Sequence, residues 1–259
     1  MINDLLLLSG NDIPFVGAQV NIHQPTLKEI AYIGEDAFFI GCGFLDFSKN
    51  ILNNEDKVRL SNYDDFDIFM SIMINKKNKS TQRSIECAYL VLCLIFPLYE
   101  VSVRENLIVL KQDNKEYFIT KKNFSEFREI IQSIFSLKIG DKEGQDYNPK
   151  GDMAARIAEK FKKRHEKLLK ISNEKADKNQ KKITILSRYT SILSVGTQKS
   201  FNELMNYTVY QLYNEFQRFQ LKVQWDAYIQ AKMAGVSDLE EVDNWMIDLQ
   251  EQGKTKNKK

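Results

Sequence analysis

The sequence has little of what a disulfide scaffold, a membrane span or a metal site requires. Its 259 residues include three cysteines and two histidines. The odd count, with Cys42, Cys87 and Cys93 all set in apolar segments, reads as reduced, buried thiols of a cytosolic protein. None of them has metal-ligand spacing. The apolar run Cys87–Phe96 is about half the length that crosses a bilayer and is bracketed by Glu86 and Pro97, so it belongs in a core. Leu5–Leu8 follow Asp4 without a basic region before them or a small-residue cleavage site after them, and no secretory signal is expected. Gly41-Cys42-Gly43 lacks the third glycine and the preceding strand of a dinucleotide fingerprint, and no G-x-x-x-x-G-K-[ST] occurs. No cysteine has a base in its local sequence. The expectation is a protein without catalytic residues, metal or cofactor, and not an enzyme.

What is present is an ordinary globular composition, 43% hydrophobic and 28% charged, with a net charge of +2. That length allows one or two domains with a real core. The charge is unevenly placed. Residues 1–149 carry 16 basic and 21 acidic side chains, residues 150–182 carry 12 and 5, and residues 183–259 carry 9 and 9. The chain therefore divides into an N-terminal α+β domain (1–149), a basic helix and linker (150–182), a C-terminal helical region (183–252) and a basic tail (253–259) expected to be disordered. No internal repeat or long low-complexity tract interrupts this plan.

Hydrophobic periodicity gives an α+β, predominantly helical fold. Ile13–His23 alternates weakly around Pro14 and reads as an edge strand. Thr26 with Glu29 forms a capping box for a helix whose later part is kinked by glycines. A short helix follows over Phe66–Met73, then an apolar one from Ser80 or Thr81 to Phe96. Tyr99–Val103, Leu107–Leu110 and Tyr117–Ile119 alternate with period two and predict a small antiparallel β-meander. Asn123 with Glu126 opens an amphipathic helix to Phe135. Beyond the polar stretch 140–149, the C-terminal region is all-α. It has a helix over 183–195 stopped by Gly196, one long amphipathic helix, and a short last helix capped by Ser237 and Glu240.

The long helix, Ser200–Gly235, is the strongest signal. One stripe joins Met205, Val209, Leu212, Phe216, Phe219, Val223 and the alanines 227, 231 and 234, and a second joins Tyr210, Tyr213, Leu221, Trp225 and Tyr228. Ser200 with Glu203 caps one end and Gly235 the other. Its length would be roughly 50 Å. Two apolar stripes exceed what three short neighbouring helices can cover, which points to a partner surface or self-association. The residues expected there are Leu212, Phe216, Phe219, Trp225, Tyr228, Trp245 and Met246.

Other clusters have plainer readings. Asp64, Asp65 and Asp67 could bind a hard cation, but they stand where a helix begins and read as caps. His165, flanked by Arg164 and Lys167, reads as solvated surface. Lys160, Lys162, Lys163, Arg164 and Lys167 could meet an anionic partner. Glu159 and Glu166 interleave with them and Phe161 belongs to an apolar stripe, so a solvated face or an acidic protein partner is preferred to nucleic acid.

Several stretches are similar to long-tailed bacteriophage tail-assembly proteins. They are Gln24-Pro25-Thr26-Leu27-Lys28-Glu29-Ile30-Ala31-Tyr32-Ile33-Gly34-Glu35, Asp152-Met153-Ala154-Ala155-Arg156-Ile157-Ala158, and Thr208-Val209-Tyr210-Gln211-Leu212-Tyr213 with Glu215-Phe216-Gln217-Arg218-Phe219. Asp226-Ala227-Tyr228, Ala231-Lys232, Ala234-Gly235 and Asp243-Asn244-Trp245-Met246 extend the likeness. The resemblance implies a tail-assembly chaperone of the host cell cytoplasm, absent from the mature virion, that coats the tape-measure protein and also has scope to self-associate. A structural tail component, or a nucleic-acid module using 156–182, are the alternative readings.

Overall fold

The computed structural model describes residues 2–46, 62–74, 79–135, 185–236, 242 and 244–247. The chain divides into two compact units, Met1–Leu137 with Leu186–Lys259, and Lys138–Ile185. The second lies outside the described residues apart from Ile185. Helices after residue 185 thus share one compact unit with the N-terminal region.

The fold is α+β and predominantly helical. It opens with α1 (Asp4–Ser9), capped by the Asn3 side chain and ended by Gly10 at φ 70°. Two short strands, β1 (Ile13–Phe15) and β2 (Val20–Ile22), pair antiparallel through a 3-10 turn at Val16–Ala18. The expected edge strand is therefore a hairpin. Alternation places Ile13, Phe15, Val20 and Ile22 together in the core. The capping box at Thr26 starts α2 (Leu27–Ile33) as the sequence predicts. Gly34, at φ 86°, breaks the helix in a backbone region that L-residues avoid, and α3 (Glu35–Leu45) starts afresh. The helices α4 (Asp65–Ile74) and α5 (Lys79–Ile95) follow. At Gly41 a Cβ would lie 2.5 Å from the Cys87 carbonyl oxygen, so the missing side chain is what lets α3 and α5 cross so closely.

The meander forms where expected, as β3 (Glu100–Arg104), β4 (Leu107–Gln112) and β5 (Lys115–Ile119), antiparallel in that order. The amphipathic α6 (Phe124–Ile134) inserts Phe124, Phe127, Ile130, Ile131 and Ile134 into the core. Its expected Asn123/Glu126 capping box does not form. The Glu126 carboxylate instead accepts from Val16 N (3.1 Å) and Gly17 N (3.0 Å), while the Asn123 amide donates to the carbonyls of Gly17 and Phe118. Both side chains bolt α6 to the hairpin turn. Around this joint the core is aromatic: Phe124 meets Phe66 and Phe69, and Phe127 meets Phe15 and Phe96. Each buried phenylalanine contributes about 1.5–3 kcal/mol relative to an exposed one.

The C-terminal part holds α7 (Ile185–Thr197), α8 (Phe201–Met205) and α9 (Val209–Met233). Gly196 does not stop α7, which runs on to Thr197 before Gln198 turns at φ 60°. The Glu35 carboxylate accepts from Leu186 N (2.8 Å) and Ser187 N (3.4 Å), supplying the start of α7 with an acceptor from α3. The long helix expected over Ser200–Gly235 is two helices. Tyr207 and Thr208 leave the helical path because the Tyr207 carbonyl accepts from Leu27 N (2.8 Å) and Thr208 bridges Thr26 antiparallel. The expected last helix is absent over residues 244–247, which turn: Met246 N donates to Asn244 Oδ1 (3.0 Å) and Ile247 N to the Asn244 carbonyl (3.1 Å). An asparagine side chain competing for backbone amides is a known helix breaker. Cys42 and Cys87 are buried as expected, but Cys93 is exposed, since it falls on the outer face of α5.

Candidate partner-binding surface

The apolar stripe of α9 is covered at its start and uncovered farther on. Thr208 begins the helix with a third capping box, after those at Thr26 and Ser200, its hydroxyl accepting from Gln211 N (3.3 Å) and its amide donating to Gln211 Oε1 (2.8 Å). Gln211 also donates through Nε2 to the Leu8 carbonyl of α1 (2.7 Å). Val209 and Leu212 are fully enclosed, and Phe216 is 6% exposed. The Phe216 ring lies flat on Tyr189 of α7, with centroids 3.7 Å apart and planes 10° apart, and Tyr213 meets Tyr189 edge-on at 5.5 Å. One turn farther along, Phe219 is half-buried over Gly196, where a Cβ would fall 2.2 Å from the ring. Glycine there is the notch that admits the ring.

Past Phe219 the core ends but the helix continues. Val223, next in the same stripe, is 49% exposed, and Met233 is 84% exposed. Beside the glycine notch, Val195 of α7 is 85% exposed. On another side of α9, Leu221 is buried and Trp225 and Tyr228 are half-buried, their rings 5.8 Å apart. Gly235, at φ 87°, ends the helical path, with Val236 N donating to the Ala231 carbonyl. The Arg218 guanidinium then takes the carbonyls of Trp245 (3.0 Å) and Ile247, which fastens the C-terminal turn against α9. That turn leaves Trp245 half-buried and Met246 70% exposed.

The polar edge is fixed by Lys199, which donates to Glu215 Oε1 (2.6 Å) and to the Tyr207 hydroxyl. Partial burial works against its ammonium, but bonds to Glu215 and Tyr207 together hold its pKa above the usual lysine value. This pair ties the loop before α8 to α9.

Of the residues expected at a partner surface, Leu212 and Phe216 are core. Phe219, Trp225, Tyr228 and Trp245 are half-buried, and Met246 is open. Lys160, Lys162, Lys163, Arg164, Lys167 and His165 lie outside the described residues. The open residues Val195 and Met233 belong to neither apolar stripe of the sequence, and Val223, a stripe member, lies outside the largely aromatic set expected at the surface. Val223 was legible as a stripe member; nothing in the sequence marked Val195.

The aspartate cluster caps a helix and pairs with cations. Asp67 N donates to Asp64 Oδ1 (2.8 Å), Lys121 lies 2.5 Å from Asp64 and 3.0 Å from Asp67, and Arg128 lies 3.0 Å from Asp65. Burial pushes the Cys42 thiol well above its ordinary pKa, and partial desolvation by neighbouring side chains raises that of Cys93, so neither offers a ready thiolate. No helix among the described residues is long and apolar enough to cross a membrane.

The part of the chain that builds this surface is also the part with a known likeness. Residues 177–250 match the family model of the YomV second domain. That family is phage-derived, of the Bacillus prophage SPbeta kind, and the match points to a phage origin. No curated protein and no solved structure matches the chain.

Proposed function

We propose that this is a non-enzymatic phage tail-assembly protein, a chaperone that holds apolar helical stretches of a tape-measure protein in the infected cell's cytoplasm and does not enter the virion. The observation that carries the reading is the fate of one stripe on α9. It is sealed at Leu212 and Phe216 and open at Val223, with Met233 exposed farther along the helix and Val195 exposed beside the notch. An apolar helix face without an internal partner is suited to helix-in-groove contact. Burying two or three such side chains yields about 1.5–3 kcal/mol each, so the grip is weak enough to release a guest to incoming tube subunits. The phage-derived match over residues 177–250 spans the same helices.

The test is co-expression with the tape-measure protein of the same phage, followed by mass spectrometry of purified particles. The proposal expects the partner to stay soluble and co-purify, and the chain to be missing from particles. A tape-measure protein equally soluble without this chain would end the chaperone reading, and stoichiometric recovery from virions would replace it with a structural role.

A further inference from the structure

His23 stands between two carboxylates. Its Nδ1 is 2.9 Å from Asp12 Oδ1, and its Nε2 is 3.3 Å from both oxygens of Glu29. A neutral imidazole has one N–H and can donate to one of them, leaving a ring lone pair facing the other carboxylate. The imidazolium satisfies both. The third element packed here is α5, whose last residue Ile95 accepts at its carbonyl from the His23 amide (2.9 Å), so the negative end of a helix also faces this corner. The charged groups facing the ring are thus Asp12 from the loop before β1 and Glu29 from α2.

Glu29 has a second role. Its Oε2 accepts from the Thr26 amide and hydroxyl, both at 2.7 Å, closing the capping box of α2. Thr26 bridges Thr208, and Leu27 N donates to the Tyr207 carbonyl, where α8 stops and α9 begins. A continuous hydrogen-bonded path therefore joins the imidazole to the origin of the helix that bears the open surface.

We propose that His23 is a proton-operated brace: when protonated it clamps Asp12 to Glu29 and steadies the Thr26–Thr208 junction, and on losing the proton it loosens that junction. Burial is partial, with side-chain exposures of 25% for His23, 49% for Asp12 and 42% for Glu29, so the effect is graded. The inference stands apart from the partner's identity, because its readout is internal.

The experiment is amide hydrogen exchange on the full chain from about pH 5 to about pH 8, the span in which imidazoles change charge. Protection of the Leu27 amide, corrected for intrinsic rates and referenced to Phe127, is expected to fall about threefold to fivefold across it, the size of a partly exposed ion pair. His23→Gln should start at the lower protection and show no step, and Asp12→Asn should show a smaller step. An identical step in His23→Gln, or none in the native chain, overturns the proposal. Should His23→Gln not fold, Asp12→Asn decides, and a step of native size there overturns it.

Discussion

Thr26 and Thr208 are antiparallel bridge partners, and each is also the N-cap of the helix that follows it, Thr26 over Glu29 and Thr208 over Gln211. Two helices 182 positions apart in sequence thus start from one pair of extended residues. The bridge pairs both residues in the extended backbone that an N-cap adopts.

Replacing Thr208 removes the hydroxyl but not the bridge. Thr208→Ala is expected to lower stability by about 1 kcal/mol, the usual cost of a lost N-cap, whereas Thr208→Ser keeps most of it. Urea denaturation of the three proteins reads the difference directly. Equal midpoints for alanine and threonine would mean that the bridge alone sets the start of α9.

Gly196→Ala pits two effects against each other. Alanine raises helix propensity by up to about 1 kcal/mol in an interior position. Yet the new Cβ would lie 2.2–3.0 Å from three atoms of the Phe219 ring, which must swing out of its notch. Overpacking of this kind costs about 1–3 kcal/mol, so the net sign is destabilising. Pairing it with Phe219→Ala should recover the propensity gain, giving a strong non-additivity in thermal melts. Simple additivity would show that the ring does not rest where the glycine allows it.

Stability should form a plateau with two limbs. Burial opposes the Glu29 charge, but bonds from Thr26 and His23 together hold its pKa below the usual value. At Asp64 burial is likewise outweighed by Lys121 and Asp67. Lowered carboxyl pKa values add stability that is present above the ordinary carboxylate range and lost as pH falls below about 4. Lys199 has a raised pKa, so its contribution is full below the ordinary lysine value and lost as pH climbs beyond about 10.4. Glu29→Gln should shrink the acid limb and Lys199→Met the alkaline one, each modestly because the groups are partly exposed. Denaturation midpoints from acid to alkaline pH test both assignments. An alkaline limb unchanged in Lys199→Met would place that titration elsewhere.

What the sequence made legible was whatever depends on neighbours along the chain. The Thr26 and Ser200 capping boxes, the Gly34 break, the three strands of the meander and the apolar face of α6 all follow from spacing over a few residues. The failures share the opposite cause. Glu126 looked like a local cap yet serves amides about 110 positions away, and the break at Tyr207 is imposed by Leu27 on another helix. The site was half legible for the same reason. Periodicity placed the stripe on α9, but which of its members are covered depends on where α7 ends and how Gly196 receives Phe219, which no single-helix pattern encodes.

Position along α9 gives the sharpest test of the proposed binding role. A charge at Phe216 would sit against the flat face of Tyr189 with no partner, and burying an unpaired carboxylate costs several kcal/mol, enough to unfold a marginally stable domain. Phe216→Asp should therefore abolish folding and, with it, any binding, which says nothing about a surface. Val223→Asp and Met233→Asp fall where solvent already reaches, so each is expected to change stability by no more than about 0.5 kcal/mol. If distal α9 holds an apolar guest, the folded double variant should lose co-purification with the tape-measure protein by tenfold or more, about 1.4 kcal/mol at the interface. Circular dichroism confirms the fold, and a pull-down reads the grip. Full retention of the partner by a folded Val223→Asp, Met233→Asp chain would remove distal α9 from the binding surface.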